Sequence, residues 1–177
     1  MNYYAQVLAD NLGLDPSTLV LNKYDQHEVE TVDGDRYWVG TEEEARQHIK
    51  DYCLELFDEM GLDAYSKWFQ DWVVDNCILN YSTDLADLFQ SIRDESTEEE
   101  EALLDEYDDD RVNFLVNVYG LFDSAKQLVK EYPGIVDKNK LFDELESQDG
   151  LEQLIGVDEI KEIHDEDGDE LVYWQYD

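Results

Sequence analysis

The sequence predicts an α+β fold, mainly helical, with a small antiparallel sheet formed by two hairpins. Three observations carry that expectation. Apolar residues recur at helical spacing through most of the chain. Near each end, a β-prone stretch is interrupted by Asp-Gly-Asp, at 33–35 and at 167–169. Twelve Tyr, six Phe and four Trp provide rings for a core, and 177 residues are enough to bury one. A single domain over 1–177 is expected.

The elements follow in order. Tyr4, Val7, Leu8 and Leu12 share a helical face, with Asn2 as cap and Gly13 as stop. Glu28 to Val32 and Arg36 to Val39 flank Asp33-Gly34-Asp35, whose glycine can take the positive φ of a tight hairpin. Thr41-Glu42-Glu43-Glu44 is a capping box, and Ala45, Ile49, Tyr52, Leu56 and Met60 continue as the apolar stripe of a long helix ended by Gly61. Tyr65, Trp68, Phe69, Trp72, Val73 and Cys77 form the most hydrophobic stripe. Leu85, Leu88, Phe89 and Ile92 form another behind the cap Asp84, and both read as core. Thr97 to Glu100 is a second capping box, opening a short helix anchored by Ala102, Leu103, Leu104 and Tyr107.

Val112, Leu115, Val116, Tyr119, Phe122 and Val129 keep helical spacing as far as Tyr132, where Pro133-Gly134 stops it. Leu141, Phe142 and Leu145 predict one more short helix, and Leu151, Leu154 and Ile155 a further turn or two, for six or seven helices in all. Ile160 to Glu166 and Leu171 to Tyr176 flank the second Asp-Gly-Asp, and Tyr173-Trp174 echoes Tyr37-Trp38. A lone hairpin is marginal in water, so the two are expected to join in one sheet that brings the chain ends together.

Charge bounds the function. Forty-seven acidic residues against twelve basic give a formal net charge of −35. Direct binding of nucleic acid needs clustered Lys and Arg, which are absent, and an anionic membrane surface is disfavoured on the same ground. A disordered acidic tail would lack the rings present here. A salt-adapted surface would be lean in Lys and large aromatics, whereas this chain has more Lys than Arg and many rings. Cys53 and Cys77 read as buried free thiols of a reducing compartment, and no apolar run approaches the roughly 18 residues of a membrane span, so a cytoplasmic protein is expected.

Catalytic and metal motifs are missing. His27, His48 and His164 belong to no ligand motif, and Glu44 with His48, four apart, reads as a solvated pair. Asp165-Glu166-Asp167-Gly168-Asp169 has the wrong register for a calcium loop. No P-loop, dinucleotide fingerprint or nucleophile elbow occurs. No enzyme activity, cofactor or metal is expected.

The densest feature runs from Asp94 to Asp110, with eleven carboxylates and no Lys or Arg: Asp94, Glu95, Glu98, Glu99, Glu100, Glu101, Asp105, Glu106, Asp108, Asp109 and Asp110. These are the candidate partner-binding residues. A domain of this length has a radius of gyration of roughly 16 Å and a diameter of about 40 Å, over which duplex DNA carries roughly two dozen charges. The net charge of −35 matches or exceeds that. The expectation is a DNA mimic that occupies the basic cleft of a DNA- or RNA-binding protein, with an acidic adaptor for a basic partner as the alternative.

Tyr37-Trp38-Val39-Gly40-Thr41-Glu42-Glu43-Glu44-Ala45 resembles the Y-x-V-x-T-(D/E)-E-E-A segment of small acidic phage-encoded proteins, and Ile49-Lys50-Asp51-Tyr52 and Val172 to Tyr176 are similar in style. The resemblance covers roughly residues 28 to 72 and the last few. It implies a phage setting and no catalytic residues. Among phage proteins, such acidity is similar to that of antirestriction and anti-CRISPR DNA mimics, which implies a host defence complex as partner inside a bacterial cell.

Overall fold

In the computed structural model, which describes residues 1–176, both Asp-Gly-Asp sequences turn hairpins, with Gly34 at φ 95° and Gly168 at φ 83°. In chain order the elements are α1 (Tyr3–Leu12), a 3-10 turn (Pro16–Thr18), β1 (Leu19–Leu21), β2 (Glu28–Thr31), β3 (Arg36–Gly40), α2 (Glu42–Met60), a 3-10 turn (Gly61–Ala64), α3 (Lys67–Asn76), α4 (Thr83–Asp94), α5 (Glu98–Glu106), α6 (Arg111–Asn113), a π-helical turn (Phe114–Val118), α7 (Ala125–Glu131), a 3-10 turn (Pro133–Ile135), α8 (Lys138–Asp149), α9 (Leu151–Ile155), β4 (Lys161–His164) and β5 (Glu170–Gln175). The fold is α+β and mainly helical. It forms two compact units: Met1–Cys53 with the segment from Leu145 onward, and Leu54–Glu144.

The first unit is built on one antiparallel sheet of order β1-β2-β3-β5-β4. The two hairpins join through β3 and β5, with Trp38 paired to Trp174. Their indoles stack at 4.5 Å and 6° on one face, where His48 of α2 packs against both rings. On the other face, Val29, Tyr37, Val39, Ile163, Leu171 and Tyr173 pack with Ala5, Val7 and Leu8 of α1. Asn2 caps α1 by accepting from Ala5 N at 2.8 Å, and Gly13 ends it in the left-handed region at φ 68°. Strand β1 extends the sheet beyond the two expected hairpins. At three residues, all apolar, it is too short to show a period.

A small cluster ties α1 to the start of α2. The capping box forms, with Glu44 N donating to Thr41 Oγ1 at 3.1 Å and Thr41 N to the Glu44 carboxylate at 3.4 Å. That carboxylate also accepts from Tyr4 Oη at 2.9 Å and lies 2.9 Å from His27 Nε2. His27 Nδ1 faces the Val39 carbonyl at 2.9 Å; a carbonyl only accepts, so Nδ1 carries the hydrogen. The expected Glu44 and His48 pair is therefore replaced: Glu44 turns to His27, and His48 lies on the tryptophans. Burial disfavours the protonated imidazole of His48 and holds its pKa below the ordinary value.

The second unit is helical. Leu85, Phe89 and Ile92 of α4, Leu104 of α5, and Phe114 and Leu115 of the π turn are buried, as are Leu128 and Val129 of α7. An isolated bridge between Ile78 and Val136 fixes the chain on either side of this core. Several expected details change here and in α2. The buried stripe of α2 is Ala45, Ile49, Cys53 and Phe57, spaced by four, while Tyr52 and Met60 are exposed. Trp68 is 60 % exposed rather than core. Ser82, not Asp84, caps α4, accepting from Leu85 N. In α5, Leu104 is buried while Leu103 and Ala102 face solvent.

The single helix expected over 112–132 is broken. Gly120 takes φ 72°, ending the π turn, and Ser124 recaps the chain as α7. That break and the short α9 bring the count to nine α-helices among the described residues. No helix there is long and apolar enough to cross a membrane. Cys53 and Cys77 are free and buried, and burial pushes both thiols up to about 11.

Two outcomes are expected. A Cβ on Gly40 would stand 2.6 Å from the Trp38 ring and 2.9 Å from His27 Nδ1, so Gly40→Ala should cost about 1–3 kcal/mol in urea unfolding followed by tryptophan fluorescence. The Tyr4 phenol is pushed up to about 12 from its ordinary 10.0 by burial, then by its bond to Glu44 and that carboxylate's charge. Its contribution to stability is whole below pH 10 and lost as pH rises through 12. Tyr4→Phe should flatten the fall of unfolding free energy across that window.

Candidate functional site

The eleven carboxylates from Asp94 to Asp110 lie on the end of α4, on α5 and on the turn after it. Helix α4 forms because Leu85, Phe89 and Ile92 recur on one face behind the Ser82 cap, and it delivers Asp94 and Glu95 to solvent at its C-terminal end. Thr97 then caps α5, accepting from Glu100 N at 3.3 Å. Leu104 anchors α5, and Glu98, Glu99, Glu100, Glu101, Asp105 and Glu106 are all exposed. Tyr107 and Asp108 are half-buried, and Asp109 and Asp110 are exposed. The candidate residues thus lie on ordered backbone within one unit.

Helix electrostatics divide them into two groups. At the N-terminus of α5, Glu98 to Glu101 meet the positive end of the helix dipole, which favours carboxylates by about 0.3–1 kcal/mol each. Local stability is sufficient to explain their presence. At the C-terminal ends, Asp94 as the last residue of α4 and Glu95 as its cap, and Asp105 and Glu106 in the last turn of α5, meet the negative end of a dipole. No basic residue occupies that last turn of α5. These groups work against their own helices. Asp105 is offset by Arg93 Nη1 at 3.0 Å, and Asp94 accepts from Gln90 Nε2 at 2.7 Å.

The turn that closes the segment is held by Arg111. Its Nη2 pairs with Asp108 at 2.9 Å and its Nη1 donates to the Asn80 carbonyl at 3.3 Å. The guanidinium sits 5.2 Å from the ring centres of both Tyr81 and Phe89. Asn80 completes the link, its side chain donating to the Asp108 carbonyl at 2.9 Å and accepting from Arg111 N at 2.8 Å. The side chain is only 12 % exposed, and its Nε is buried without a partner. Arg111 therefore fixes the acidic turn to the chain leading into α4. Sequence reasoning passed over both residues, because Asn80 and Arg111 stand 31 positions apart with no pattern joining them.

Chemically, this surface offers fixed negative charge and hydrogen-bond acceptors. Among the described residues, no group of three or more His, Cys, Asp or Glu has the geometry to hold a metal ion. Comparison of the chain with protein-family models, with curated proteins and with solved structures finds no match. The functional reading therefore rests on the chain's own residues.

Arg111→Ala would remove the guanidinium bonds to the Asn80 carbonyl and the Asp108 carboxylate and a packed stem between two rings. It should destabilise the protein by about 2–4 kcal/mol in chemical denaturation and speed hydrogen exchange over 107–111. Arg111→Lys should recover less than half of the loss, since an ammonium cannot reproduce the planar fork.

Proposed function

We propose that the protein is a non-catalytic inhibitor whose carboxylates occupy the basic nucleic-acid-binding cleft of a DNA- or RNA-binding protein, a bacterial defence nuclease of restriction or CRISPR type. The supporting observation is the set of carboxylates kept at the unfavourable ends of α4 and α5. Asp94, Glu95 and Glu106 are exposed, and the helix dipole gives no reason for them. A partner that pairs with them does.

Their density fits the reading. Helix α5 has nine residues, about 13.5 Å at about 1.5 Å each, and carries six carboxylates, or about one per 2.3 Å. Duplex DNA carries one charge per about 1.7 Å of axis. With a net charge of −35 the chain attracts a basic cleft from a distance and displaces the anions condensed there. The action is stoichiometric and takes place inside the bacterial cell.

The test is capture of the partner from a bacterial lysate, followed by competition with duplex DNA across a salt series. The inhibitor reading expects loss of DNA binding at a one-to-one ratio, with affinity falling steeply as salt rises. A captured protein that still binds DNA at saturation removes mimicry and leaves an acidic adaptor. Turnover of a substrate at substoichiometric amounts would mark an enzyme instead. Replacing Asp94, Glu95 and Glu106 by their amides should weaken capture by about tenfold or more and flatten the salt dependence. Thermal stability should hold or rise slightly, because the dipole conflict is relieved.

A further inference from the structure

The two edges of the sheet are finished differently. At β4, Asp165 N donates to the Asp169 carbonyl at 3.0 Å, which sets the alternation and turns the backbone of His164 outward. Asn11 of α1 covers that position, its Nδ2 donating to the His164 carbonyl at 2.7 Å and its Oδ1 facing His164 N at 3.5 Å. This edge is blocked by a side chain, and Lys161 and Glu162 add charge along it.

At β1 nothing comparable occurs. Val32 N donates to the Thr18 carbonyl at 3.1 Å, so the bonded pairs run through Thr18 and Val20 and turn the backbone of Leu19 and Leu21 away from β2. Pro16 accepts from Leu19 N. The Leu19 carbonyl and both backbone groups of Leu21 remain on the open side. Leu19–Leu21 has no charge, proline or bulge, so its three-residue length is its one guard, and Val20 is 55 % exposed.

We infer that β1 accepts an extended basic segment of the partner protein as an added antiparallel strand, an inference that rests on the reading of a basic partner given above. Charge selects the occupant. Val20 is paired with Glu30, and Glu28 lies on the same face together with Arg36, which stands opposite Glu30 in register and 4.0 Å from Glu28, so two carboxylates and one cation border Val20 and the balance is negative. An added strand of alternating apolar and Lys or Arg residues sets its cations on the Val20 face, toward Glu28 and Glu30, and its apolar side chains on the opposite face beside the half-buried Leu19 and Leu21. A second copy of this chain would instead bring two molecules of net charge −35 edge to edge, with their carboxylates opposed.

The probe is the capped peptide acetyl-Lys-Val-Lys-Val-Lys-Val-amide, titrated into the full-length isotope-labelled protein. Its control is the same peptide N-methylated at every residue, which keeps the charge and removes the strand donors. Strand addition expects amide shifts over Leu19 to Asn22, about tenfold or slower hydrogen exchange at Leu21 N, and affinity about tenfold above the control. Val20→Lys, on an exposed position, should reduce the parent peptide to the level of the control. Equal binding of both peptides, with shifts confined to α5, overturns the inference and leaves the DNA-cleft reading intact. A dimer that Val20→Lys dissociates overturns it in favour of a second copy. Protection at Leu21 by the peptide, alongside undisturbed DNA binding in the competition above, sustains the edge and removes the mimic.

Discussion

Self-repulsion is the constraint under which this chain folds. A net charge of −35 on 177 residues raises the free energy of any compact arrangement, and the few cations are deployed where they tie elements together. Arg46 reaches from α2 to Glu146 of α8 at 2.8 Å, and Lys126 from α7 to Asp71 of α3 at 2.6 Å. Lys138 at the start of α8 meets Asp58 of α2 at 2.7 Å, and Arg93 links α4 to α5. Most of these pairs are substantially exposed and worth about 0–1 kcal/mol apiece. Buried rings must therefore supply the larger share, and the Trp38 and Trp174 stack at the seam of β3 and β5 is the densest instance. Burial of an indole does not weaken with salt or pH as a surface pair does.

The sequence revealed what local chemistry decides. Asn2, Thr41 and Thr97 cap where their side chains predict, both Asp-Gly-Asp turns form, and the marginal stability of a lone hairpin leads to the shared sheet. The misses are tertiary. Tyr52 and Cys53 fit the α2 period about equally well, and only the neighbours of the helix select Cys53. Over 112–132 an apolar period runs through Gly120 and Ser124, but the positive φ of the one and the cap of the other override it. Of the candidate site, the composition was legible. Its scaffold was not, because Arg111 and Asn80 meet through space.

The acidic segment also shows how a stability explanation and a functional one can be separated. Four glutamates at the start of α5 would be kept by any helix that benefits from a complemented dipole. Carboxylates at the other end are retained against that preference, on a chain that already repels itself. The second group calls for an explanation beyond local stability, and the first does not.

Charge and the open edge of the sheet are connected. An unguarded strand is a liability for most proteins, since its simplest partner is another copy of itself. Asn11 spends a side chain to close β4, whereas β1 is guarded only by its three-residue length. On a molecule of net charge −35 the repulsion between copies acts as a second guard, at any ionic strength where the Debye length, about 8 Å in physiological salt, still spans the gap between edges. The same field that excludes a second copy draws in a segment rich in Lys and Arg. A neutral protein could leave such an edge open only at the risk of aggregation; this one can keep it available to basic chains.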